Sequence, residues 1–212
     1  MASASLTAMA QPAVLGQIGP FSGLPVPDAV EVNQGITAYI ARANAAGGVR
    51  GQKIDFFQAD DRYTPEGFRE QFERAQGRKP VALLSPIGSA SLTAMLQAKL
   101  LDDSDTLIMN AIPGAESLRN PGHPRLFHIR AGDKQQIEKI VSHARTLGMT
   151  RLAVLHQEIP VGTSGLAMAR AEAERVKGME LVAVQSTADA AALAPASTAA
   201  CTAAGTRSNT RT

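Results

Sequence analysis

Short apolar runs alternate along this chain with segments of helical period. The runs at 13–19 (AVLGQIG), 53–60 (KIDFFQAD), 81–86 (VALLSP), 105–111 (DTLIMNA), 126–131 (LFHIRA), 152–157 (LAVLHQ) and 180–186 (ELVAVQS) predict strands. Helices are predicted near 28–46, 65–77, 89–101, 133–147 and 162–177. In the first, Val32, Ile36, Tyr39, Ile40 and Ala43 fall on one face at helical spacing, and Gly47 and Gly48 stop it as C-terminal caps. Strict strand–helix alternation, with strands that read as continuous apolar runs ("VALLS", "LAVLH"), argues for a parallel sheet covered on both faces. The expected fold is therefore α/β with a doubly wound parallel sheet.

The end of the chain breaks this pattern. From residue 187 it reads "TADAAALAPASTAACTAAGTRSNTRT", with almost no large apolar side chain to offset the entropy of ordering it. A low-complexity, disordered tail is expected over 187–212. Residues 1–12 are read as a residual export signal or a disordered start. "Ala8-Met9-Ala10" before Gln11 fits the small-x-small rule of a secretory cleavage site, although no basic segment precedes it.

Composition narrows the function by exclusion. Hydrophobic residues make up 44% of 212, enough for a core, and no apolar run reaches the length of a membrane span. The formal charge is only +2 and the basic residues are scattered, which argues against a nucleic-acid partner. The single cysteine, Cys201, excludes an internal disulfide and a paired-cysteine metal site. His123, His128, His143 and His156 show no metal-ligand spacing, and His128 and His156, inside predicted strands, read as partly buried histidines with one hydrogen bond each. No cofactor, metal or enzymatic machinery is expected.

Ligands of open α/β sheets collect at the carboxyl ends of the strands. "GQIGPFSG" lacks the spacing of a nucleotide loop. Asp60 and Asp61 raise the possibility of a metal pair or a phosphate-accepting cluster. A receiver domain, however, needs a further aspartate where "LLSPIGS" ends the third strand, so the pair reads as a turn leading into the helix begun by Thr64 and Pro65. "SPIGSASLTAM" runs from a buried strand through Gly88 into a helix. Its free N–H groups, with the hydroxyls of Ser89 and Ser91, offer a site for a carboxylate as well as ordinary capping. The neighbouring end, "NAIPGAES", brings loop backbone at Ile112 to Gly114 near the same crevice.

"GQIGPFSG", "NAAGGVRGQKIDFFQADDRYTPE", "GSAS", "PGAESLR", "LFHIRAGD" and "RLAVLHQ", in this order, resemble the type I periplasmic solute-binding proteins of ABC importers, above all the leucine/isoleucine/valine-binding branch. The resemblance implies two α/β lobes closing on a ligand: a first lobe at 13–131, a partial second lobe at 132–186, and "LFHIRAGD" as a crossing between them. It further implies a periplasmic location, a permease partner and a small carboxylate-bearing ligand, such as a branched-chain or other amino acid. Ser89 would take the carboxylate and Ile112 and Gly114 would offer backbone groups, with Leu24 to Asp28 near the ligand side chain. Asp28 and Val161 stand where branched-chain binders place aromatic side chains, which leaves an aromatic acid open. The family's chain runs on to complete the second lobe, so a truncated or frame-shifted product departing near Pro195 is expected. A cytoplasmic ligand-sensing regulator of the same fold is the alternative. Limited proteolysis is expected to remove residues from about Ala196 first; protection equal to that of the core would overturn the reading of the tail.

Overall fold

The computed structural model describes residues 12–22, 27–158 and 160–187, with isolated positions 195, 197–199 and 202 beyond them. The chain divides into two compact units. One comprises residues 1–113 and 117–130, the other 114–116 and 131–212.

In the first unit, β1 (Val14–Gly19), β2 (Asp55–Asp60), β3 (Ala82–Leu84) and β4 (Leu107–Met109) form a parallel sheet in the order β2-β1-β3-β4. The chain moves outward to one side after β1 and then returns to the other, so β1 and β3 enclose the switch point of the sheet. β1 pairs with β2 over six residues, Val14↔Asp55 to Gly19↔Asp60, but with β3 over two. Helices α1 (Pro27–Ala45), α2 (Pro65–Gln76) and α3 (Ser89–Gln97) cover it. The core is built from Ile18, Leu83 and Ile108 of the sheet with Phe68, Phe72, Leu92 and Met95 of the helices, all at most 2% exposed. α2 starts as its sequence dictates: the Thr64 hydroxyl accepts from the Gly67 N–H at 3.0 Å and Pro65 takes the first helical position.

α1 ends at its two glycines. The Gly48 N–H donates to the Ala43 carbonyl at 2.8 Å, with φ +101° at Gly47 and +75° at Gly48. The expected apolar face needs one correction. Ala29, at 0% exposure, and Ile40, at 7%, lie inward, whereas Tyr39 is 71% exposed. At 3.6 residues per turn Tyr39 stands about 80–100° round from Ala29 and Ile40, beyond the contact stripe.

The expected strand at 126–131 is also corrected. Only the bridge Ile108↔Leu126 forms there. Phe127 donates to the Ile108 carbonyl, but its own carbonyl then skips Asn110 and accepts from Ala111. Asn110, at φ +56°, turns β4 aside and breaks the ladder. His128 consequently sits in a connection rather than a strand. Its ring nitrogens face the carbonyl oxygens of Ala111 at 3.2 Å and Leu118 at 3.3 Å, and the single N–H of either tautomer can donate to one of them. Left-handed residues likewise shorten two other elements. Ser85 (φ +50°) closes β3, and Lys99 (φ +56°) ends α3 before residue 101, with Leu100 donating back to Met95 at 3.2 Å.

The second unit holds α4 (Asp133–Thr146), β5 (Arg151–Gln157), α5 (Pro160–Arg175) and β6 (Glu180–Thr187). β5 and β6 pair in parallel, with a register shift between Leu152 and Ala153. α5 lies close on β5 at Gly162, where a Cβ would fall 2.1 Å from the Gln157 carbonyl oxygen. Residues 1–11 and most of 188–212, Cys201 included, lie outside the described residues, and with them the expectations for both chain ends. Positions 197–199 and 202 are helical, the Thr202 hydroxyl donating to the Thr198 carbonyl at 2.9 Å.

Two glycine substitutions separate strain from crowding. At Gly47 a Cβ meets nothing within 4 Å, whereas at Gly48 it would stand 1.8 Å from the Gln52 carbonyl oxygen. Gly47→Ala is expected to cost about 1 kcal/mol for the left-handed backbone alone. Gly48→Ala should cost roughly 2–4 kcal/mol by adding a backbone clash. Equal shifts of the two unfolding midpoints in urea would contradict this.

Candidate functional site

The carboxyl edge of the first sheet gathers four strand exits, and two carboxylates organise it. Asp60, closing β2, accepts at Oδ1 from the N–H groups of Phe21 (2.9 Å), Ser22 (3.2 Å) and Arg62 (3.0 Å), while its Oδ2 accepts from the Ser22 hydroxyl. It thereby ties the exit of β1 to that of β2. Burial alone would raise this carboxyl, but the Ser22 hydroxyl and the three backbone donors outweigh it and hold Asp60 below the ordinary aspartate value.

Asp61 is wholly buried. Its Oδ1 accepts from the Tyr63 N–H at 2.8 Å and its buried Oδ2 has no protein partner. Burial, opposed by the Tyr63 hydrogen bond and reinforced by the Asp60 charge, pushes this carboxyl up to about 6. Each aspartate thus fixes one residue of the following turn, Arg62 at φ +53° and Tyr63 at φ +59°. This is the work of a structural turn. Among the described residues no group of three or more His, Cys, Asp or Glu side chains could hold a metal ion.

α3 begins beside this turn. Gly88 precedes it at φ +114° and supplies no side-chain cap, and the Leu92 N–H returns to the Gly88 carbonyl at 3.1 Å. The first-turn N–H groups of a helix have no intrahelical acceptor, and here the cap leaves them for a ligand or water. Ser89 is half-buried. Ser91 is 2% exposed, its hydroxyl 3.1 Å from the point a Cβ on Gly88 would occupy, so it supports the turn from beneath.

Ile112 is fastened next to this start, its N–H donating to the Pro86 carbonyl at 3.1 Å; its carbonyl is the backbone group left to offer. Behind it the Asn110 amide donates to the Ser85 hydroxyl at 3.0 Å, a link between the β3 and β4 exits that no sequence signal marks. Asp28 is exposed in the first turn of α1. The structure thus places Ser89, Ser91, Ile112 and Asp28 on one unit. Gly114 and Val161 belong to the other. There the Gly114 carbonyl accepts from the Asp133 N–H at 2.8 Å, and Val161, 47% exposed, opens α5. Leu24 lies outside the described residues.

A family model described as periplasmic binding protein matches residues 12–204. The chain belongs to the periplasmic binding protein family. This is a family of solute-binding proteins, generally without enzymatic activity, and membership implies an extracytoplasmic location. Among the described residues no helix is long and apolar enough to cross a membrane. The chain is similar to an extracellular ligand-binding receptor from Verminephrobacter eiseniae, with 55% identity, a TM-score of 0.81, and coverage of 88% of this chain and 53% of the other. A substrate-binding periplasmic protein from Ralstonia solanacearum is 27% identical, with a TM-score of 0.75 and coverage of 82% and 49%. An ABC-transporter solute-binding protein from R. palustris, solved in complex with benzoate, shares the fold at 18% identity, with a TM-score of 0.72 and coverage of 89% and 53%. The chain spans about half the length of these structures. Among curated proteins no match is found.

The two aspartates give stability opposite pH dependences. Asp61 releases its proton near the ordinary 3.8 when unfolded but near 6 when folded. Its neutral form is favoured by folding, so its contribution is complete below pH 3.8 and is lost as pH rises through about 6. The depressed Asp60 acts in the other sense, its contribution being lost as pH falls through its folded value. Asp61→Asn keeps the acceptor for Tyr63 and removes the buried charge. The variant is expected to gain on the order of 2 kcal/mol at pH 7 and little at pH 4. Urea midpoints at both pH values test this, and a loss of stability at pH 7 would contradict it.

Proposed function

We propose that this chain is part of the solute-binding component of an ABC importer, and that it captures a small organic carboxylate at the start of α3. The observation that carries the reading is the position of that helix start. It lies at the exit of β3, on the switch point between β1 and β3, with a glycine cap that leaves its N–H groups without a side-chain acceptor. The carboxylate would accept from these N–H groups and from the Ser89 hydroxyl, with the Ile112 carbonyl at the rim. The family resemblance alone supports Leu24, Asp28, Gly114 and Val161 as further ligand contacts. Family membership supports a periplasmic location and a permease partner.

Branched-chain or other amino acids and aromatic acids both present such a carboxylate, and the benzoate complex of the R. palustris protein supports including the second class. Titration of the 15N-labelled chain with leucine and with benzoate tests the site. The amide resonances of Ser89, Ala90 and Ser91 should shift with at least one of them. Ser89→Ala should weaken that ligand by about 1–2 kcal/mol, the scale of a hydrogen bond to a charged group. Unmoved resonances would reject the helix start as the anion site, and an unchanged affinity would leave Ser89 outside it.

A further inference from the structure

We propose that Tyr63 is a specificity-determining wall of this crevice, and that it selects carboxylates bearing an aromatic ring. The inference rests on the reading of α3 as the anion site. The Tyr63 ring reaches Gly88 itself: its Cε2 lies 3.7 Å from the point a Cβ on Gly88 would occupy. An anion held by the first N–H groups of α3 therefore lies beside this ring. Tyr63 is 41% exposed, and among the described residues its phenol forms no hydrogen bond, so both the ring and its polar tip are open to a ligand. Its backbone is left-handed, a conformation that a bulky residue adopts only when held, and the buried Asp61 carboxylate holds it.

Phe21 is placed in the same manner at the exit of β1. Its N–H is bound by Asp60, and its ring lies 3.7 Å from the point a Cβ on Gly19 would occupy.

The charges of this edge point the same way. Asp60 spends its oxygens on four protein donors, and the second oxygen of Asp61 is sealed from solvent. Neither presents an acceptor to a ligand ammonium. An anion site beside the Tyr63 ring, with neither aspartate of this edge open to a ligand, suits a flat ring joined directly to a carboxylate. A ring packed against Tyr63 at the 4.5–7 Å centroid separation of attracting aromatic pairs would gain about twofold to tenfold in binding.

The chain has no tryptophan and two tyrosines, Tyr39 and Tyr63, so in a Tyr39→Phe background tyrosine emission reports Tyr63 alone. Benzoate is expected to quench this emission and to shift the Ser89–Ser91 amides with one midpoint. Acetate, which carries the charge without the ring, should shift the amides only. Tyr63→Asn, with a residue that tolerates the left-handed backbone, should weaken benzoate about threefold to tenfold and leave acetate unchanged. Tyr63→Phe should retain benzoate, a check that does not depend on how the asparagine variant folds. If benzoate shifts the amides but neither quenches Tyr63 nor loses affinity in Tyr63→Asn, the anion site stands and the assignment to Tyr63 is overturned. If neither acetate nor benzoate moves the amides, the anion site fails and the assignment fails with it.

Discussion

The carboxyl edge of the first sheet depends on one carboxylate. Asp60 draws the loop after β1 and the turn after β2 onto the same two oxygens, so the two exits form a single rigid rim. Its partners are three backbone N–H groups and a hydroxyl, the donors that stabilise ionised carboxylate most effectively. Release of that carboxylate would free Phe21, Ser22 and Arg62 together. The rim would then lose the relation between β1 and β2 that the sheet register alone provides no further than Gly19↔Asp60.

The same edge stores backbone strain. Arg62, Tyr63, Ser85 and Asn110 are left-handed without being glycine, and all four follow strands. Such conformations cost on the order of 1–3 kcal/mol each and persist where neighbouring contacts over-determine them. Here the contacts are the two aspartate carboxylates for the first pair and the Asn110 to Ser85 hydrogen bond for the second. The reward is placement. The strands stop short, the chain turns over their ends, and α3 starts directly above the switch point. Asp61 adds a second cost, a buried carboxyl with one unsatisfied oxygen, on the residue that fixes Tyr63.

The second unit is held by different means. Of the largest fully buried side chains among the described residues, only Val141 belongs to it; elsewhere α5 packs through Ala169 and Ala173 and through the buried Glu172, paired with Arg175 at 2.6 Å. Two strands and two helices enclose little apolar volume, and an isolated strand pair is marginal without the helices laid against it. The first unit, with its four strands and its phenylalanine pair, carries the larger core.

The alternation of apolar runs and helical periods, the glycine stop of α1 and the Thr64–Pro65 start of α2 are local features, and each was legible in the order of the residues. Local steric and capping preferences act within a few residues, so sequence suffices to set them. Family motifs likewise pointed to the acidic turn. What lay beyond reach depends on residues far apart in the chain. Asp60 is bound to Ser22 across 38 positions and Asn110 to Ser85 across 25, and nothing local to either partner announces the other. The strand at 126–131 failed for the same reason. Its residues favour extended backbone, but the ladder it would join is broken by a turn at Asn110 on a different segment. Tyr39 and Tyr63 make the contrast plainest. The sequence shows two tyrosines; only packing decides that one faces outward from α1 while the other is pinned by a buried aspartate beside Gly88, because burial is a property of the neighbours that folding brings together.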